Sequence, residues 1–155
     1  MAASKKKKVP KTVALPTSRS VYRKENPDSF YDKKPSWCFN SCDTEVWALA
    51  EERVGRAIWT EILPYLKSME TRTWADIFVV SQKQNHSIEE DELTARARKR
   101  LFELRVESGS VYSLRISGTH RLYGYIIDST FYILWYDVEH GDNDTCVCRS
   151  RMKHT

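Results

Sequence analysis

The chain lacks any apolar run approaching the ~20 residues of a bilayer span, and its first residues lack the apolar stretch of a secretory leader. A cytosolic, cytoplasmic protein without membrane association is the expectation. No internal repeat and no Gly-rich phosphate loop is visible, which argues against repeat arrays and P-loop nucleotide sites. Acidic residues are missing from positions 1–24, which carry eight Lys or Arg; the rest of the chain holds 17 basic and 21 acidic residues. The formal net charge of +4 therefore belongs to the tail, and a nucleic-acid function for the remainder must rest on a local patch. The four cysteines, Cys38, Cys42, Cys146 and Cys148, lack the C-x2-C spacing of a zinc knuckle. Reduced thiols are expected, with a zinc site joining the chain ends as the less favoured alternative.

What is present is a chain of 155 residues with 12% aromatics, enough for one folded domain. Residues 1–20 read as a disordered basic tail whose KKKKVPK run suits a nuclear address or an RNA-binding arm. Residues 21–35, with Tyr22, Phe30 and Tyr31, read as an extended arm that packs on the domain. The domain proper spans 36–141, and 142–155 is a polar, frayed tail. Within the domain, Trp37-Cys38-Phe39 is a short strand. Asp43 or Thr44 caps a helix with Val46, Ala50, Val54, Ala57, Ile58 and Ile62 at helical spacing, which Pro64 kinks or ends. Thr73 to Asp76 is a capping box for a short helix to about Val79, and 81–86 is a polar loop. Ser87 to Glu90 is a second capping box, opening a helix with Leu93, Ala97, Leu101 and Leu104 buried. Trp47, Trp59 and Trp74 read as packing residues.

Residues 110–140 alternate as three strands and fix their own register. Tyr112, Leu114 and Ile116 form one face and Val111, Ser113 and Arg115 the other. A two-residue turn at Asp128-Ser129 pairs Ile127 with Thr130, and hence Tyr123 with Leu134 and Arg121 with Tyr136. A three-residue loop at Ser117-Gly118-Thr119 pairs Ile116 with His120 and Arg115 with Arg121. The predicted row is Arg115, Arg121, Tyr136. On the opposite, helix-facing side lie Leu114, Leu122 and Trp135, then Ile126 with Phe131, with Gly124 opposite Ile133. Like charges directly opposed destabilise a sheet unless an anion sits between them, and a phosphate fits that need. Ion pairs of the two arginines with Glu103, Glu107 or Asp137 are the plain alternative. The fold class is α+β, a small antiparallel sheet made of this meander and the short first strand, with helices on one face and the other partly open. On that open face Tyr123, Tyr125 and Tyr132 would form an aromatic patch for RNA bases, or for the arm to cover. Arg96, Lys99 and Arg100 on the last helix are candidate phosphate contacts, or a solvated helix face.

The stretch LRISGTHRLYGYIIDSTFYILWYDVEH resembles the C-terminal meander of the RelE/ParE toxin superfamily, especially the RelE, YoeB and HigB type. The resemblance implies a RelE-like fold and a metal-independent, cofactor-free endoribonuclease that cleaves mRNA, commonly on the ribosome, and is inhibited by a cognate antitoxin. It implies Arg115 and Arg121 as phosphate ligands, His140 as general acid or base, Tyr136 as an orienting or stacking residue, and Glu103 or Glu107 as a carboxylate base. The N-terminal extension through residue 35 and the acidic Asp137 and Glu139 depart from the family pattern. The superfamily also holds ParE toxins, which act on gyrase without nuclease chemistry. A noncatalytic protein-interaction module using the tyrosine-rich face is thus the second expectation.

Overall fold

The computed structural model describes residues 30–106, 110–141 and 145–149; the basic tail, Tyr22 and Glu107 lie outside them. The fold is α+β, built on a five-stranded mixed sheet of order β1-β5-β4-β3-β2. Its centre is the meander β3 (Val111–Ser117), β4 (His120–Ile127) and β5 (Thr130–Asp137). β1 (Ser36–Cys38) runs parallel to β5 on one side. β2 (His86–Ile88), in and beside the expected polar loop, is antiparallel to β3 on the other. The sheet is therefore mixed, with one more strand than the hydrophobic pattern predicts. Three residues of an edge strand are too few for period-two alternation to register. Among the described residues no helix is long and apolar enough to cross a membrane.

Both hairpins depart from ideal pairing by one residue. Arg115 does face Arg121, but Ser117 pairs with His120, so the loop is only Gly118-Thr119 and Ile116 is the extra residue of a bulge. Gly118 takes a φ of +43°, the left-handed conformation expected of it. In the second hairpin Ile127 pairs with Thr130 as predicted, yet Tyr123 pairs with Trp135 and Gly124 with Ile133, leaving Leu134 as a second bulge. Beyond that point every side chain on β5 changes face. Tyr136 stands opposite Leu122 on the helix side, and Asp137 takes its place opposite Arg121.

Both sheet faces are covered, so the expected open face does not exist. One face packs Leu114, Leu122, Phe131, Ile133 and Tyr136 against Ile62, Leu66, Trp74, Ile77 and Phe78. Ile62 and Leu66 come from a π-helical turn, Ile58–Ile62, that runs into α2 (Leu63–Met69); Ile77 and Phe78 come from a second π turn, Asp76–Val80, with Trp74 just ahead of it. Phe30 joins this core, so the described end of the arm docks here and not on the tyrosines. The other face packs Val111, Tyr123, Tyr125, Leu134 and Trp135 under α3 (Ala95–Glu103) and the chain end, with Val147 and Cys148 buried. That end, expected to fray, is tied down by Thr94 N–H to Val147 O (3.0 Å), Arg149 N–H to Glu92 O (2.9 Å) and Trp47 Nε1–H to Thr145 O (2.9 Å).

Local signals were decided by side-chain hydrogen bonds. The capping box at Thr73 and Asp76 is present in both directions. The second box belongs to Glu89 and Glu92 around a single 3-10 turn, while Thr94 caps α3 by accepting from Ala97 N–H. No helix starts at Asp43, whose Oδ1 accepts the Glu45 and Val46 amides in a turn; the first α-helix is the short α1 (Glu51–Val54). Pro64 does not end the helical path: it stands where the π turn passes into α2, in the first turn of that helix. Trp47 and Trp74 are core residues, but Trp59 is 72% exposed.

Candidate functional site

At the β2–β3 side of the sheet a cleft of about 1240 Å³ opens beside the meander. Arg115, Arg121, His140, His86, Lys83 and Arg149 all line it, with Glu89 and Glu92 as its carboxylates. Cross-strand pairing places the two arginines side by side, as the sequence predicts. Asn85, itself buried, braces the strand by accepting the Arg115 amide (2.9 Å) while its own amide reaches Ile77 O (3.3 Å). Arg115 is exposed; Arg121 is 9% exposed and its Nη1 donates to Gly118 O (2.6 Å) and His120 O (3.0 Å). Among the described residues neither arginine forms an ion pair. Burial, ahead of the neighbouring charges, lowers the Arg121 pKa, the sign of a guanidinium short of counter-charge.

Asp137 does not silence the pair. It is fully buried, and its carboxylate accepts the Glu139 amide (2.9 Å) and the Val147 amide (2.8 Å). Burial raises its pKa despite those bonds. His140 reaches the cleft just past β5, its amide donating to Thr119 O (3.3 Å). Its pKa is pulled down to about 4, by burial first and then by Arg121, His86 and Arg115. The imidazole is accordingly neutral near pH 7. Tyr123 Oη lies 3.1 Å from His140 Nδ1 and 3.2 Å from Cys148 Sγ. The cleft thus joins three guanidinium groups, those of Arg115, Arg121 and Arg149, and two imidazoles, an arrangement able to hold a phosphate and move a proton beside it.

Several predicted site residues lie elsewhere. Tyr136, moved across the sheet by the Leu134 bulge, bonds to His120 Nδ1 (2.8 Å) and Glu61 Oε2 (3.2 Å) on the helix side. His120 is paired with Glu61 at 3.0 Å. Tyr123 and Tyr125 are buried, and Tyr132 stacks on Tyr125 at 5.2 Å, so no aromatic platform faces solvent there. Arg100 is locked to Asp43 through Nε (2.7 Å) and Nη2 (2.8 Å), Arg96 lies over the Trp47 ring at 4.9 Å, and Lys99 is 4.0 Å from Glu103. Glu103 also pairs with Arg100 (3.0 Å), and none of these four lines the cleft. The four cysteines are unbridged, and among the described residues no group of three or more metal-ligating side chains converges.

Reading the sequence alone missed His86, Lys83, Cys148 and Arg149. The first two sit in a segment whose polarity resembles a loop, and the last two in a chain end with no periodicity. No family model matches the chain, and neither the curated proteins nor the solved structures yield a match.

Proposed function

We propose that the chain is a RelE-like, metal-independent endoribonuclease toxin that binds mRNA in the basic cleft. The observation that carries the reading is the Arg115–Arg121 pair, opposed across two strands with no ion pair among the described residues and sharing a cleft with His140. Opposed like charges are retained at a cost to the sheet, and a bound phosphodiester turns that cost into affinity. The resemblance of residues 114–140 to the RelE meander points the same way.

In the proposed reaction the ribose 2′-oxygen attacks the adjacent phosphorus and forms the new O–P bond. Its proton passes to a base in the cleft, the P–O5′ bond breaks, and the departing oxygen is protonated. The products are a 2′,3′-cyclic phosphate and a 5′-hydroxyl. Arg115 and Arg121 stabilise the charge that builds on the non-bridging oxygens. Proton transfer falls to groups lining the cleft, the imidazoles of His86 and His140 or the carboxylates of Glu89 and Glu92. Glu103 is engaged by Arg100 and Lys99 away from the cleft.

Incubation of the purified chain with RNA in EDTA, beside Arg121→Ala, tests the reading. Cleavage to cyclic-phosphate ends that falls about 100-fold or more in the variant is expected. Induced expression should arrest growth, and a cognate antitoxin should relieve it. Uncut RNA in both samples, with ribosomes present as well, would remove the enzyme and restore a noncatalytic or ParE-like interaction module. That alternative has lost the tyrosine-rich face on which it rested, since Tyr123 and Tyr125 are interior.

A further inference from the structure

Three side chains meet at the edge of the cleft beneath the arginines. Tyr123 Oη is 3.1 Å from His140 Nδ1 and 3.2 Å from Cys148 Sγ, and that sulfur is 3.5 Å from the same Nδ1. Tyr123 and Cys148 are buried, and among the described residues their side-chain hydrogen bonds run within this group, the neighbouring Ser113 hydroxyl making none. Both stay protonated at neutral pH: burial lifts the thiol pKa to about 11 and also raises the phenol.

A neutral histidine brings one N–H, tyrosine one O–H and cysteine one S–H. If Nδ1 carried the proton, it would donate to Tyr123, Tyr123 would donate to sulfur, and the S–H would have no acceptor left. The stronger O–H donor would also be spent on the weak sulfur acceptor. If Nε2 carries it, the S–H donates to the phenol oxygen and the phenol O–H donates to Nδ1. The other closed pattern, O–H to sulfur and S–H to Nδ1, again leaves the proton on Nε2. Every arrangement that satisfies both donors within the group therefore requires Nδ1 as acceptor.

We infer that Tyr123 and Cys148 hold His140 as its Nε2–H tautomer, facing the Arg115–Arg121 pair as a neutral hydrogen-bond donor to a bound phosphate. Among the described residues Nε2 has no protein partner, and His140 lines the cleft. The charges around the ring, Arg121, His86 and Arg115, oppose its protonation after burial has done so, which preserves the neutral donor across the physiological range. Tyr123 and Cys148 act through His140 and are positioning residues. In the ribonuclease reaction, on which the choice of ligand rests, His140 then stabilises the phosphorane and the proton of the 2′-hydroxyl goes elsewhere. His86, on the same cleft, is the imidazole left for that task.

Long-range 1H–15N spectra of the labelled full chain at pH 7 read the tautomer directly, with His140 identified by its absence in His140→Gln. A single species protonated at Nε2 is expected, with no titration until the pH approaches about 4. Tyr123→Phe should give an average of both tautomers and a pKa higher by about one unit, while Cys148→Ser, which keeps a donor, preserves the wild-type pattern. A proton on Nδ1 in the wild type overturns the inference, and that measurement stands even if a variant fails to fold. Where RNA is cut, His140→Ala should lower the rate about 100-fold and leave the acidic limb of the pH profile in place; a displaced limb would make His140 a base and refute the assignment. Uncut RNA would count against the ribonuclease alone, because the spectra do not depend on it.

Discussion

Replacing Asp43 by alanine should destabilise the fold by about 4 kcal/mol, although the residue sits in an irregular segment between β1 and α1. Its side chain accepts from Arg100 Nε (2.7 Å) and Nη2 (2.8 Å), Trp135 Nε1 (3.1 Å), and the Glu45 (2.9 Å) and Val46 (3.2 Å) amides. Truncation returns the two amides to water at small cost. It leaves the buried Trp135 N–H without a partner, worth about 1–3 kcal/mol, and strips the main counter-charge from a guanidinium only 14% exposed. Glu103 at 3.0 Å and Glu45 at 3.4 Å return part of that loss, which holds the sum within the ~3–5 kcal/mol typical of a broken buried pair. Urea unfolding followed by tryptophan fluorescence should show a midpoint lower by about 2 M for a slope near 2 kcal/mol per molar. The carboxyl titration gives a separate measure. Burial would raise the Asp43 pKa, but Arg100 and the other donors outweigh it and hold it at about 2, against 3.8 for an ordinary carboxyl. Because the folded pKa is depressed, this stabilisation is complete above pH 3.8 and is lost as the pH falls through 2, about 2 kcal/mol in all. Truncation costs more than protonation because it also orphans the tryptophan. A loss below about 1 kcal/mol in Asp43→Ala, or strict additivity with Arg100→Ala, would reduce the contact to a surface ion pair and refute the reasoning.

Arg115→Gln should raise stability by about 0.5 kcal/mol at low ionic strength, an advantage that fades at ~1 M salt, while RNA affinity falls; lower stability in urea melts would mean that no repulsion exists between the arginines. Gly124→Ala should cost about 3 kcal/mol, since a Cβ there would lie 2.1 Å from Tyr132 O and 2.8 Å from the Phe131 ring; an unchanged unfolding midpoint would show that the strand shifts freely. Acid should destabilise the protein through His140. Its folded pKa of about 4 lies below the ordinary 6.5, so the contribution is full above pH 6.5 and lost toward pH 4. Allowing for solvent screening of a half-buried group, about 1–2 kcal/mol should separate wild type from His140→Gln in melts at pH 7 and pH 4.5.

The Arg115–Arg121 juxtaposition and the turn at Asp128 were legible because alternation and turn chemistry both act within a few residues. The third member of the row was not. A bulge at Leu134 inserts one residue without changing composition, and what stabilises it lies far away in sequence: Leu134 O accepts the Asp43 amide (2.9 Å), and the Tyr136 amide donates to Trp47 O (2.9 Å). The same non-locality hid α3's true side of the sheet. Its buried stripe was readable, but the partners it meets are distant in sequence: Leu93 and Ala97 share a core with Val111 and Trp135, and Asp43 binds Arg100 of the same helix. The docked chain end escaped notice for a related reason. Two of its hydrogen bonds are made to the side chains of Thr94 and Asp137, neither of which carries a sequence signal for a partner fifty or ten residues away.

The Leu134 bulge links these observations into one causal sequence. By turning β5 over, it removes Tyr136 from the arginines and delivers Asp137 to their face, where a free carboxylate would have neutralised Arg121. The buried carboxylate instead accepts the Val147 amide, and the neighbouring Cys148 is carried to within 3.2 Å of Tyr123 and 3.5 Å of His140. The acidic residue that sequence reasoning treats as a threat to the site therefore builds it. Asp137→Asn offers a sharp check: it keeps one acceptor oxygen for the Glu139 and Val147 amides and sets an N–H₂ donor against the other, so residues 145–149 should detach, hydrogen exchange there should accelerate, and His140 should lose its single tautomer. Retention of slow exchange at Val147 together with an unaltered His140 spectrum would break the sequence at its first link, and the tautomer would then need another cause.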